Sequence, residues 1–359
     1  MTLNLITLGQ QAKAAALILR QWSTADKNAA LRLIADEIDH HAGLILDANA
    51  ADMAAGRAAG LTPALLDRLN LANRLDGITA DVRRVAELPD PVGEEFDNRT
   101  LPNGLYARKR RVPIGVLGVI YEARPNVTVD VAALGLKTSN AVILRGGSET
   151  LRSNIVLVTV IQGALKKAGL PENAVQLIAD SDRRYVSELL RLSGYVDMII
   201  PRGGNSLHTF CREHSTIPVI TGGIGICHLY VDHTADLAAA LAIVHNAKTQ
   251  RPSVCNALDT LLVHHSAAAV FIPQVVQRLS QDGVRFKVDE QAAALVSQAE
   301  NIQPSGDGDW DTEWLDLILG IRVIPDLNAA IAHIQQHSTA HSDGILSNDP
   351  AAIERFVNE

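Results

Sequence analysis

The sequence predicts an α/β protein of two domains built on parallel sheets, and three observations carry that reading. Short β-branched runs alternate with helical stretches from residue 112 onward. At 359 residues the chain exceeds what one ordinary hydrophobic core organises. Hydrophobic residues make up 47% of the chain but aromatic ones only 4%, so Ala, Leu, Ile and Val dominate, the composition of a soluble α/β protein.

From Gln10 to Glu87 the pattern is helical and rich in alanine. Ser23 with Asp26 three residues on forms a capping box with Asp in place of Glu, and Thr62 followed by Pro63 is an N-cap with proline at the first helical position. The stretch 88–104, LPDPVGEEFDNRTLPNG, is acidic and holds three prolines, so it reads as a crossing segment rather than an element. Then the period shortens. VPIGVLGVIYE (112–122), AVILR (141–145), AVQLI (174–178), VDMII (196–200) and IPVI (217–220) read as buried strands, separated by helical stretches that include 149–168 and 183–192. Such alternation makes βαβ units with right-handed crossovers and a sheet covered on both faces.

A second alternation starts near Leu229 and divides the chain into 1–228 and 229–359. Its elements are a helix at 234–248, a strand at 257–263, a helix from 267, the strand VRFKV, a polar Gly/Asp loop QPSGDGDW, the strand LILGIRVI and the helix DLNAAIAHIQQH. No internal repeat at a fixed period appears.

Charge narrows the function. A net charge of −8 and a pI near 5.8 disfavour nucleic-acid partners, because phosphate neutralisation needs a basic surface. The one basic run, ARKRRVP at 107–113, reads as a solvated strand entry or a subunit contact. No uninterrupted apolar stretch reaches roughly 18 residues, and the N-terminus has no basic region followed by an apolar one, so a cytoplasmic protein without membrane association is expected. Cysteines at 211, 227 and 255 are too few and too unevenly spaced for a disulfide framework or a zinc ribbon. His333, His337 and His341 recur every four residues, but the helix should end near His337 and no carboxylate completes a motif, so no metal site is assigned.

The loops after the strands carry the chemistry. LRGGSET and IPRGGNS share one design: an apolar strand, an Arg, two glycines and a small polar residue opening a helix. Gly-Gly lets backbone N–H groups approach an anion, the helix N-terminus adds partial positive charge, and the Arg can take a phosphate bidentately. Two such loops suggest a ligand with two phosphates, such as a dinucleotide, although neither G-x-G-x-x-G nor a P-loop is present. Cys255 interrupts NAKTQRPSVCNALDT between a helix and a strand. An isolated cysteine is most often a small buried hydrophobe, but this one sits on a connection near Lys248 and Arg251, cations of the kind that stabilise a thiolate. On charge alone Lys248 and Arg251 are also candidates for the substrate's charged groups, with a plain structural role as the alternative. Cys211 and Cys227 read as structural.

Four stretches in order, VIYEARPNVTVDVAALGLKTSNAVILRGGSET, DMIIPRGG, TIPVITGGIGICHLYVD and NAKTQRPSVCNALDTLLV, resemble the γ-glutamyl phosphate reductases of the aldehyde dehydrogenase superfamily, and the similarity runs over essentially the whole chain. The resemblance implies an aldehyde dehydrogenase-like fold of two Rossmann-like lobes: 1–228 with the N-terminal helices, the NADPH-binding lobe and an oligomerisation hairpin segment at 100–112, and 229–359 as the catalytic lobe. It implies reduction of L-glutamate 5-phosphate by NADPH to L-glutamate 5-semialdehyde and phosphate, in proline biosynthesis, with the substrate supplied by glutamate 5-kinase and the subunits forming a homo-oligomer. By the same matching Cys255 is the nucleophile, and Asn126 and the Cys255 backbone N–H are the oxyanion donors.

Arg145 stands where a lysine approaches the cofactor's adenosine ribose, and it opens the loop Gly146, Gly147, Ser148. Pro201, Arg202, Gly203 and Gly204 replace the pyrophosphate loop, Thr221, Gly222 and Gly223 join the cofactor residues, and Glu313 resembles the glutamate that holds the nicotinamide ribose. Arg145 and Arg202 favour NADPH over NADH. Ile220 and Thr221 stand where oxidising relatives carry a water-activating glutamate, which suits a reductase.

The family continues beyond ERFVNE, so the resemblance also implies that the C-terminal part of the family fold is absent here. That leaves two further readings open: a truncated, catalytically silent chain that binds cofactor or a partner, and an acylating dehydrogenase for another acyl phosphate.

Overall fold

The computed structural model describes residues 3–222, 224–296 and 300–359. The chain divides into two compact units, Met1–Gly222 and Gly223–Glu359.

The first unit begins with helices α1 (Leu5–Leu19), α2 (Thr24–His40), α3 (Ala42–Ala58), α4 (Pro63–Leu69) and α5 (Leu75–Glu87). Three of the five, α1, α2 and α4, start at a side chain that caps them. Asn4 Oδ1 accepts from the amides of Ile6 and Thr7, Ser23 Oγ from Asp26 and Thr62 Oγ1 from Leu65, each satisfying a donor that the first turn leaves open. α2 packs against α5 and against the later helix Leu151–Lys167, and its Ala30, Leu31, Ile34 and Ile38 are buried.

The crossing segment is not structureless. β1 (Glu95–Thr100) and β2 (Tyr106–Arg110) pair antiparallel as a hairpin with an irregular register between Phe96 and Arg99. β1 is exposed along its whole length and β2 along nearly all of its own, so neither has a buried face to impose an apolar alternation on the sequence. Cross-strand charge holds them instead, with Arg108 to Glu95 at 3.0 Å and Lys109 to Asp97 at 2.8 Å.

Next come β3 (Val116–Tyr121), α6 (Asn126–Lys137), β4 (Ala141–Arg145), α7 (Leu151–Lys167), β5 (Val175–Leu177), α8 (Arg184–Leu189), β6 (Met198–Arg202) and α9 (Asn205–His214). The strands form a parallel sheet in the order β5-β4-β3-β6. β3 and β4 are buried at every residue, which is why both read as unbroken apolar runs. The segment 217–220, expected as a strand, makes a single bridge between Val219 and Ile199; Pro218 has no N–H with which to extend a ladder.

The second unit holds β7 (His228–Val231), α10 (Leu237–Thr249), β8 (Thr260–His264), α11 (His265–Ser280), β9 (Arg285–Val288), α12 (Glu290–Ala293), β10 (Ile302–Pro304), β11 (Ile318–Ile324), α13 (Leu327–His337), β12 (Asp343–Leu346) and α14 (Pro350–Asn358). Its sheet is parallel in the order β10-β9-β11-β8-β7-β12. Phe271, Ile272, Val275 and Leu279 of α11 lie in the core with Leu261 and Val263 of β8. The architecture is thus the α/β class with parallel sheets that the alternation predicted. Among the described residues no helix is long and apolar enough to cross a membrane.

Candidate active site

In parallel α/β sheets ligands bind beyond the carboxyl ends of the strands, and in the first unit the loops that leave those ends include 122–125 after β3, 146–150 after β4 and 203–204 after β6. Two carboxylates tie them together. Glu149 Oε1 accepts the Ala123 amide at 2.7 Å, and Glu122 Oε2 accepts the Gly204 amide at 3.2 Å. Ala123 itself sits at φ 45°, in the left-handed region that a residue with a Cβ occupies only when its surroundings hold it there.

The glycine pairs therefore have a more specific purpose than open approach to a ligand. A Cβ on Gly147 would overlap the Glu149 carboxylate, and one on Gly203 would come within 2.6 Å of Glu122 Oε2. Gly204, the N-cap of α9, gives its own N–H to the Glu122 carboxylate, while no side chain caps the first turn of α9, whose N–H groups point to this loop. This fits a phosphate-bearing cofactor at the loop.

Arg145 is nine-tenths buried. Its Nη1 donates to the Gly146 carbonyl at 3.0 Å and its Nη2 to the Ser181 carbonyl at 2.8 Å, while Nε is buried without a partner among the described residues. Burial lowers its pKa from the ordinary arginine value. Arg202 is exposed at the end of β6. Ser148 opens a single turn of 3-10 helix, Pro201 is buried within β6, and Thr221 and Gly222 lie on an exposed segment with Gly222 facing His208. Gly223 lies outside the described residues.

Asn126 is the first residue of α6, and its Nδ2 donates to Asp130 Oδ2 one turn on, at 2.9 Å. Asp130 lines a cavity of about 620 Å³ with Val127, Val131, Leu117, Ile200 and Arg202. Burial raises its carboxyl pKa, opposed by the Asn126 hydrogen bond and by Arg202 and reinforced by Asp81.

In the second unit Cys255 lies on the turn between α10 and β8 and is exposed, whereas Cys211 and Cys227 are buried. Burial pushes the Cys211 thiol up to about 11; burial and Asp259 push that of Cys227 up to about 12. The Cys255 carbonyl is gripped from two sides. Cys227 Sγ donates to it at 3.2 Å, and Gly225 lies so close that any Cβ there would overlap the oxygen. The Gly225 amide donates to Glu313 Oε1 at 3.1 Å, which brings Glu313 and the cysteine turn to the same glycine. Beneath them buried Asp259 accepts from the amides of Cys227 and Trp314, each at 3.2 Å.

Lys248 departs from both roles that its charge suggested. It is fully buried, its ammonium donates to the Leu258 carbonyl at 2.9 Å and lies 4.0 Å from Asp259, and burial lowers its pKa to about 8. It is an interior strut. Arg251 is exposed at the start of the turn. His333 is buried at the edge of a Trp310 ring, and among the described residues no group of three metal-ligating side chains converges.

The aldehyde dehydrogenase family model matches residues 6–302. Gamma-glutamyl phosphate reductases from Photobacterium profundum and Vibrio vulnificus are 55% and 56% identical to the chain, over 99% of its length and 86% of theirs. The solved gamma-glutamyl phosphate reductase of Thermotoga maritima matches at a TM-score of 0.93 and 41% identity, over 99% of this chain and 85% of that one. That of Saccharomyces cerevisiae matches at 0.57 and 28%, over 98% and 88%. An acetylating aldehyde dehydrogenase from Geobacillus thermoglucosidasius, 17% identical at a TM-score of 0.70, shares the fold over 98% of this chain and 83% of its own. The expected absence of the C-terminal part of the family fold finds no support in matches that take in nearly all of this chain.

Proposed function

The chain belongs to the aldehyde dehydrogenase family and, within it, to the γ-glutamyl phosphate reductases, and on that premise we propose that it reduces L-glutamate 5-phosphate to L-glutamate 5-semialdehyde and phosphate, a step of proline biosynthesis, through a thioester on Cys255. The observation that carries the site assignment is the contrast among the three thiols: only Cys255 is exposed, on a turn whose backbone is held from two sides.

The chemistry follows from what an acyl phosphate is. Its carbonyl is already activated, so the Cys255 thiolate adds to it and the tetrahedral adduct expels phosphate. The Cys255 backbone N–H and the Asn126 amide are the proposed oxyanion donors; one such donor is typically worth about 2.7–4 kcal/mol. A nicotinamide cofactor, held as proposed below, would supply hydride for the reduction of the Cys255 thioester to the thiohemiacetal. Cys255 then departs as thiolate while the aldehyde carbonyl forms. Ile220 and Thr221 carry no carboxylate that could activate water, which suits a reductase rather than a hydrolysing dehydrogenase.

The 146–148 and 203–204 loops are the proposed seats of the cofactor phosphates, with Glu313 as the proposed partner of the nicotinamide ribose. NADPH is the proposed cofactor, with exposed Arg202 better placed for a 2′-phosphate than Arg145, whose guanidinium is engaged by two carbonyls. The β1–β2 hairpin is the proposed subunit contact.

Quenching the protein with glutamyl phosphate in the absence of NADPH and mapping peptides by mass spectrometry tests the reading. A glutamyl adduct confined to Cys255, and its loss with turnover in Cys255→Ala, is the expected result. An adduct on another residue, or full turnover by Cys255→Ala, overturns it.

A further inference from the structure

We propose that Cys227 is a positioning residue for Cys255, its S–H fixing the peptide that carries the nucleophile; this rests on the reading of Cys255 as the nucleophile. Cys227 Sγ donates to the Cys255 carbonyl oxygen at 3.2 Å across 28 residues of sequence. The same oxygen is walled in by Gly225, where any side chain would overlap it. Holding the carbonyl fixes ψ of Cys255, and with it the direction in which the Cα–Cβ bond aims the sulfur. An attacking atom misplaced by about 1 Å costs on the order of a hundredfold in rate, so such a restraint bears directly on catalysis.

Cys227 is itself firmly placed. Its backbone N–H donates to Asp259 Oδ2, and its carbonyl accepts the amides of Asp259 and Thr260 at 3.1 and 3.0 Å. The residue is 2% exposed, and burial first, then the Asp259 and Asp343 carboxylates, disfavour its thiolate, opposed by Ser342. A thiol held protonated in this way remains a hydrogen-bond donor at neutral pH. Two cysteines so close together thereby take different parts: the interior one keeps its proton and orients, the exposed one reacts.

A plain packing role predicts a different pattern from a donor role, and two substitutions separate them. Cys227→Val fills the space without a donor, and Cys227→Ser keeps a donor with less volume. Under the proposal Cys227→Val lowers kcat about tenfold with KM within about twofold, and slows acylation of Cys255 by glutamyl phosphate and its alkylation by iodoacetamide in parallel, while Cys227→Ser stays within about threefold of the parent in all three. Melting temperatures identify any variant that is merely unfolded. The proposal is overturned if the valine variant matches the parent in kcat and alkylation, or if the serine variant falls as far as the valine one. Retention of turnover by Cys255→Ala would sink the nucleophile assignment instead, a separate outcome.

Discussion

Asn126 shows how much one neighbour can decide. A side-chain amide can turn over and present its oxygen in place of its NH2, which at an oxyanion would repel rather than bind. Asp130, when ionised, only accepts, so the hydrogen bond at 2.9 Å fixes the nitrogen end of Asn126 toward it and leaves the second N–H for the proposed oxyanion. Asp130→Asn removes that constraint, and kcat should fall by about tenfold, less than the hundredfold or more typical of losing an oxyanion donor outright. Because burial raises the Asp130 pKa, with Asp81 adding to the shift and Arg202 opposing it, the parent should also lose kcat on its acid side at a higher pH than an ordinary carboxylate would dictate. A pH profile of kcat checks both, and an unchanged acid limb in Asp130→Asn would separate Asp130 from the effect. Such partnerships escape a sequence reader for a physical reason. Glu149 meets Ala123 across 26 positions, Glu122 meets Gly204 across 82 and Glu313 meets Gly225 across 88, and no local period encodes a pair so far apart.

Elements were legible where burial imposed a pattern or a cap announced a start. β4 occupies the 141–145 run read from AVILR because every one of its residues is buried, and α2 and α4 begin at the Ser23 and Thr62 caps. The β1–β2 hairpin left no mark in the residue pattern because both strands face solvent, and only the family resemblance pointed to a hairpin there, at 100–112. The element that delivers the chain to Cys255 offers a direct test. α10 is capped by Asp236, whose Oδ1 accepts the amides of Ala238 and Ala239 at 3.0 and 3.2 Å. Asp236→Ala should cost about 1 kcal/mol of stability, seen as a lower urea midpoint at unchanged m-value. Since the cap lies a full helix away from Cys255, kcat should hold; a large drop would mean that α10 is coupled to the turn it leads into.

At the scale of the whole molecule, the fold class was readable because alternating buried strands and helices admit few arrangements, whereas buried polar clusters were not, since a histidine in a sequence carries no mark of its surroundings. His333 is the sharpest case. Its spacing makes it one of three histidines four residues apart, yet it lies 5% exposed among His228, His337 and Trp310, and its Nδ1 accepts from Arg322 Nη1 at 2.7 Å. Burial first, then the nearby His228, Arg322 and His337, lower its pKa to about 3. An unfolded histidine titrates near pH 6.5, so the proton binds the unfolded chain more readily. The neutral ring's contribution to stability is therefore complete above about pH 6.5 and is lost as pH falls toward 3, amounting to about 3 kcal/mol between pH 7 and pH 4. Asp232 and Asp343, whose pKa values lie below the usual carboxylate range, add their own losses as pH falls further, so the parent's acid sensitivity alone does not isolate the ring. His333→Gln keeps an acceptor for Arg322 and cannot titrate. Urea unfolding at the two pH values should show the variant losing about 3 kcal/mol less than the parent across that interval; equal losses would mean that the buried imidazole is not what makes the fold sensitive to acid.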